Sequence, residues 1–150
     1  MADYLLDTNV LLRSCDPASP AHHSAVAAVS GLLQGGYNLY VTPQNVVESW
    51  VVATRPVDVR GLGWSPEKAA HEIGRVLDQF ALLEESPGIF PQWFKLVTSQ
   101  GTRGKRAHDA RLVAVALAYG VPYLLTFNTE DFGGFPGIVP VAPGDAAEGP

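Results

Sequence analysis

The chain has too little of several things for whole classes of protein to stay open. Cys15 is the only cysteine among 150 residues. It has no second thiol for an intramolecular disulfide or a thiolate zinc site, so a reducing, cytoplasmic setting is expected. No activating neighbour accompanies it, and it reads as a packing residue rather than a nucleophile. Charged residues make up only 17% against 47% hydrophobic, which excludes a disordered chain and favours a well-buried sheet. No apolar run reaches membrane-spanning length, because Gly, Pro or charge interrupts each one. No basic region precedes Asp3-Tyr4-Leu5-Leu6-Asp7, so no secretory signal is expected. No Gly-rich loop follows that apolar stretch, which disfavours a dinucleotide-binding protein. A net charge of −5 counts against indiscriminate nucleic-acid binding, so any polyanion contact needs a local basic patch.

What is present is an alternation of short apolar runs with helical segments. Asp3–Leu6 reads as a buried strand, followed by helix N-cap chemistry at Asp7-Thr8-Asn9 and a first helical turn at Val10–Arg13. The Ala- and Val-rich run from Ala21 to Leu33 predicts a helix stopped by Gly35-Gly36. Asn38–Val41 is a second strand, and Thr42-Pro43 opens a helix that runs to about Thr54. Further helices are expected over Pro66–Phe80, Pro91–Ser99 and Ala107–Tyr119, with strands at Ala81–Glu84, Tyr123–Thr126 and Ile138–Val141. The length suits one domain over residues 1–141, and the Gly-, Pro- and acid-rich tail 142–150 is expected to fray. Strands alternating with helices imply an α/β fold with a parallel sheet of four to five strands, covered on both faces.

Four acids then fall where such a fold collects functional groups, beyond the carboxyl ends of the strands. Asp7 ends the first strand, and Asp131 follows the fourth. Asp109 lies in the first turn of the helix before that fourth strand, and Glu48 lies one turn into the helix after the second. Taken singly, Glu48 also reads as a solvated helix-face residue, Asp109 as a helix-dipole partner and Asp131 as a turn-former. Asp7 is harder to dismiss, because a carboxylate ending an apolar strand needs partners. Close carboxylates repel by about 4 kcal/mol per pair at an effective dielectric of about 20. Folds that gather them usually do so for a hard divalent cation such as Mg²⁺ or Mn²⁺.

Leu5-Leu6-Asp7-Thr8-Asn9-Val10-Leu11, the Glu48 helix, His108-Asp109-Ala110-Arg111-Leu112-Val113-Ala114 and Leu125-Thr126-Phe127-Asn128-Thr129-Glu130-Asp131-Phe132 together resemble the PIN-domain ribonucleases. The nearest group is the VapC-type toxins of bacterial toxin–antitoxin pairs, and the similarity spans roughly Asp3 to Val141. The resemblance implies a PIN-like three-layer fold and a Mg²⁺- or Mn²⁺-dependent endoribonuclease. Asp7, Glu48 and Asp109 match the family's three steadiest acidic positions. For the fourth, Asn128 stands where many members carry Asp, and the Asn-x-x-acid-Phe pattern points to Asp131 instead. Thr8, Asn9, Thr126 and Asn128 are the expected supporting residues. The resemblance also implies a homodimer and a small antitoxin whose helical segment covers the groove.

Arg103, Lys105 and Arg106 form the one basic cluster, beside Asp109, and are candidate RNA contacts as well as an ordinary solvated loop. His108 reads as helix-start packing or capping, with an RNA contact as the alternative. Trp50, Trp64, Trp93 and Phe94 read as core residues, with partner surfaces as the alternative. Two other functions stay open at this level. One is a different metal-dependent phosphoryl-transfer hydrolase, and the other is a non-catalytic PIN-like binding module.

Overall fold

The computed structural model describes residues 3–147. Five strands form one sheet in the order β3-β2-β1-β4-β5, and every adjacent pair is parallel. The strands are β1 (Asp3–Leu6), β2 (Asn38–Val41), β3 (Ala81–Leu82), β4 (Tyr123–Leu125) and β5 (Val139–Val141). The helices are α1 (Thr8–Cys15), α2 (His22–Gln34), α3 (Pro43–Thr54), α4 (Pro66–Gln79), α5 (Ile89–Gln100), α6 (Arg106–Tyr119), α7 (Thr129–Phe132) and α8 (Pro143–Ala147).

The period-two pleat of β1 divides the interior into two packed layers. Leu5 faces one side with Leu124 of β4, against Ile89 and Leu96 of α5 and Leu112, Val113 and Ala116 of α6. Tyr4 and Leu6 face the other side with Leu125, against Val10, Leu11, Val29, Leu32 and Val76. Leu5, Leu6, Leu124 and Leu125 are fully buried. Each contributes about 1.5–3 kcal/mol of hydrophobic free energy. A sheet covered on both faces explains why these strands read as continuous apolar runs rather than alternating ones.

Several helix boundaries follow from local chemistry. Thr42 caps α3 by accepting from the Asn45 backbone N–H, while the Asn45 side chain returns a bond to the Thr42 backbone. Pro43 then starts α3 with its missing N–H at a harmless position. Ser65 caps α4 by accepting from the Lys68 backbone N–H, ahead of Pro66. Gly120 ends α6 in the left-handed conformation at φ 68°, which glycine adopts without steric cost.

Three expectations need correction. The third strand is confined to Ala81–Leu82, because only these residues pair with Tyr40 and Val41. Asp131, which also read as a turn-former, lies in the short helix α7, whose last residue Phe132 is buried. The chain does not fray over residues 142–147. Pro143–Ala147 form α8, which packs on α2 with Ala146 buried in the second core layer. Residues 148–150 of the expected tail lie outside the described residues.

Candidate active site

The centre of the sheet delivers Asp7 to its carboxyl edge. Its backbone N–H donates to the Leu125 carbonyl at 2.9 Å, extending the β1–β4 ladder by one bond. Its side chain then does two jobs. One carboxylate oxygen (Oδ1) accepts from the Thr8 N–H at 2.8 Å and caps α1, and the other (Oδ2) accepts from the Thr126 hydroxyl at 2.7 Å. The negative charge at the N-terminus of α1 is favourable to the helix dipole. Thr126 is fully buried and also accepts from the Asn128 N–H at 3.0 Å, so its hydroxyl is satisfied in both senses. Asn9 ties the same edge together by accepting from the Phe127 N–H at 3.3 Å.

Glu48 is held by a separate chain of hydrogen bonds. The Thr8 hydroxyl donates to Glu48 Oε1 at 2.8 Å, and the Asn45 amide donates to that hydroxyl at 3.1 Å. Asn45 is completely buried, and its oxygen accepts from both the backbone and the hydroxyl of Thr42. The sequence reading missed Asn45. The signal was available in Thr42-x-x-Asn45, since a residue three places after a threonine cap commonly returns a bond to it.

Asp109 sits partly buried in the first turn of α6, and Asp131 is exposed on α7. The four acids come from four different elements, yet they feel one another. Burial pushes the Asp7 carboxyl above its usual pKa; the Thr126 and Thr8 hydrogen bonds pull it down, and the charges of Glu48 and Asp131 push it up again. Burial likewise raises Asp109, followed by repulsion from Asp7 and Asp131, to about 6 against an ordinary 3.8. Arg106 offsets part of that rise. Among the described residues, no three Asp, Glu, His or Cys side chains close on a single point as a finished ligand shell. The donors are thus neighbours with both oxygens of Asp7 engaged by the protein.

The supporting residues divide into those in contact with the acids and those near them. Thr8 and Thr126 bond directly to Glu48 and Asp7, whereas Asn9 acts on the backbone of β4's exit. Asn128 contributes its N–H, while its side chain makes no capping bond to α7. Within the basic cluster, Arg103 and Lys105 are exposed. Arg106 differs, for its guanidinium lies 4.5 Å from the centre of the Phe135 ring. His108 is exposed, and its carbonyl accepts from Gln44 at 2.9 Å. Trp93 donates to the Ala107 carbonyl at 2.9 Å and fixes the start of α6. Trp64 is partly buried, whereas Trp50 and Phe94 are exposed rather than core.

The family model for the PIN domain matches residues 4–135. This chain therefore belongs to the PIN-domain family. A sequence comparison with curated proteins gives no match. Among solved structures, the DNA-bound VapBC of Salmonella typhimurium is similar with a TM-score of 0.70 at 15% identity, over 95% of this chain and 99% of that one. VapC20 of Mycobacterium tuberculosis, described as a sarcin-ricin loop cleaving toxin, gives 0.67 at 14% identity, over 92% and 100%. FitAcB of Neisseria gonorrhoeae gives 0.62 at 18% identity, over 93% and 97%. At these identities the likeness is one of fold.

Proposed function

We propose that the protein is a metal-dependent endoribonuclease, acting as the toxin of a toxin–antitoxin pair. The observation that carries this reading is the acidic edge itself: four carboxylates, from the β1–α1 junction, α3, α6 and α7, whose repulsion adds to burial in lifting Asp109 to about 6. Arg106 is the one cation that offsets the Asp109 charge, so most of the repulsion is left for a bound cation to relieve. The donor chemistry, all oxygen and all acidic, suits Mg²⁺ or Mn²⁺, with Asp7, Glu48, Asp109 and Asp131 as its holders. When bound, such an ion lowers the pKa of a water and neutralises charge on a phosphodiester. Thr126 and Thr8 fix the Asp7 carboxylate in one orientation, and the Asn45–Thr8 chain does the same for Glu48. Asp109 carries its charge above about pH 6. Arg103 and Lys105 offer the exposed charge that a phosphate backbone needs.

The toxin role draws on membership of the PIN family and on structural neighbours that are VapBC and FitAB assemblies. A small protein partner follows from that likeness. A groove of about 510 Å³ between α2 and α4, floored by Val29, Val76 and Phe80 and rimmed by Lys68, Glu72 and Arg75, is a mixed apolar and charged surface for a partner segment. The exposed Val47, Trp50 and Val51 on α3 suit a homodimer contact. Light scattering on the purified protein tests the dimer, and a strictly monomeric species at micromolar concentration removes it. No helix of the described residues is long and apolar enough to cross a membrane.

The absence of a finished ligand shell among the described residues favours one second reading, a PIN module that binds without cleaving. End-labelled structured RNA separates the two, using wild type and Asp7→Ala with Mg²⁺, Mn²⁺ or EDTA. Cleavage that needs metal and is lost in Asp7→Ala supports the nuclease. A folded wild type that cuts no RNA and takes up no Mn²⁺ supports the binding module; activity on small phosphate esters alone supports a different phosphoryl-transfer hydrolase.

A further inference from the structure

We propose that the exposed aromatic face of α5 and the basic loop after it form a platform for unpaired RNA, with bases stacked on Phe90 and Phe94. This rests on the nuclease reading above and names the substrate class as single-stranded RNA. Phe90 and Phe94 stand about one helical turn apart and are 67% and 55% exposed, although both are large and apolar. Their ring centres lie 6.3 Å apart, with planes within 12° of parallel. Trp93 tilts against both rings, at 5.7 and 6.5 Å. Its indole N–H is fixed on the Ala107 carbonyl at 2.9 Å, so the cluster abuts the first turn of α6, which carries Asp109. A strand laid on these rings is therefore led to the acidic edge. Exposed rings of this kind hold any base, because every base has a π-face.

Charge selects the occupant. Residues 86–108 contain Lys95, Arg103, Lys105 and Arg106 and no Asp or Glu, in a chain whose net charge is −5. Lys95, Arg103 and Lys105 are exposed, and none of the three makes an ion pair among the described residues. Lys95 follows Phe94 directly, and Arg103 and Lys105 lie just past Gly101, where α5 ends. The rings and the unpaired cations thus belong to one continuous surface. A second copy of the chain fits it worse, because a twofold contact sets a face against itself. Here that would bring the same unpaired cations against one another. A duplex also fits worse, since its bases are already paired and stacked inside the helix. An unpaired strand satisfies both halves of the surface, its phosphates on the cations and its bases on the rings.

A short, unstructured, fluorescein-labelled RNA is titrated by anisotropy in EDTA, where no metal-dependent cleavage intervenes. The proteins are wild type, Phe94→Leu, Phe94→Trp and the double variant Phe90→Ala with Phe94→Ala. Affinity should fall about tenfold in Phe94→Leu and about a hundredfold in the double variant, with the salt slope unchanged, while Phe94→Trp binds like wild type. Leucine keeps the apolar surface and loses only the flat ring, which separates stacking from general apolar docking. Both rings are exposed, so melting temperatures should not move. The same RNA annealed to its complement should bind wild type more weakly. No binding by wild type, equal affinity for the two RNA forms, or a double variant that binds like wild type overturns the proposal. So does a double variant that turns from dimer to monomer in sedimentation with RNA affinity intact, since a second copy then owns the face. A wild type that binds the strand in EDTA but cuts none in Mg²⁺ loses the nuclease reading alone, and the platform stands.

Discussion

Replacing Asp109 with asparagine should make the metal-free protein more stable while removing its activity. Burial, and then the charges of Asp7 and Asp131, lift the Asp109 carboxyl from 3.8 to about 6. At about 1.4 kcal/mol per unit, that gap corresponds to about 3 kcal/mol of penalty on the ionised form. Asp109 is only partly buried, and solvent screening reduces the figure to about 1–1.5 kcal/mol. A carboxyl whose folded value is raised binds more protons in the folded state. The penalty is therefore absent below about pH 4, grows between 4 and 6, and is complete above 6. Asparagine has the same shape and never ionises. Thermal melts in EDTA should show Asp109→Asn above wild type by about 3–5 °C at pH 8. The two should coincide near pH 4. Adding Mg²⁺ should reverse the order at pH 8, since only the wild type gains binding free energy from a complete donor set. A variant no more stable than wild type at pH 8, or one with the same advantage at pH 4, would refute the claim that repulsion burdens this site.

Three further outcomes follow from the geometry. Thr126→Val keeps the buried shape but removes the donor to Asp7 and the acceptor for the Asn128 N–H, and should cost about 2–3 kcal/mol in urea melts. Losing that hydrogen bond should also raise the Asp7 carboxyl further, so the acid limb of the cleavage profile should move to higher pH. Ala146→Asp places an unpaired charge between α8 and α2 and should destabilise by about 2–4 kcal/mol; a neutral effect would mean that α8 does not dock. Arg103→Gln with Lys105→Gln should reduce the salt slope of RNA binding by about 0.7 for each phosphate left without its cation, whereas Arg106→Gln should leave the slope nearly unchanged, its guanidinium being stacked on Phe135.

Where the sequence carried its own punctuation, the fold was readable from it. The bounds of β1, β2 and α3 emerged as expected, because Thr42-Pro43 and Arg55-Pro56 bracket α3 by local rules that need no tertiary context. The parallel arrangement was readable from apolar runs alternating with helices. The ends of the chain were harder. Composition alone marked the segment after Ala142 as a tail, yet Ala146 is held by α2, a contact invisible to any local rule. The same limit applies at the site. The four acids could be picked out as candidates from their places near the strand ends and helix starts, but Asn45 could not, since its bond to Thr8 spans 37 residues. Arg106 looked equivalent to Lys105 in the sequence, and only the position of Phe135 separates them.

The bond between Asp7 and Thr126 joins residues 119 positions apart. Asp7 leaves the ribosome 119 residues ahead of the hydroxyl that orients it. Asp109 and Asp131 are also late, and β4 must insert beside β1 before either can approach. A growing chain therefore carries the first acid long before it has a site. Contacts of such long sequence separation close slowly and late in folding. A truncated product that stops before β4 would be inert, however much of the helical layer it contained. If the protein cuts RNA, the machinery that makes it is spared by the order of synthesis until β4 and the residues after it arrive.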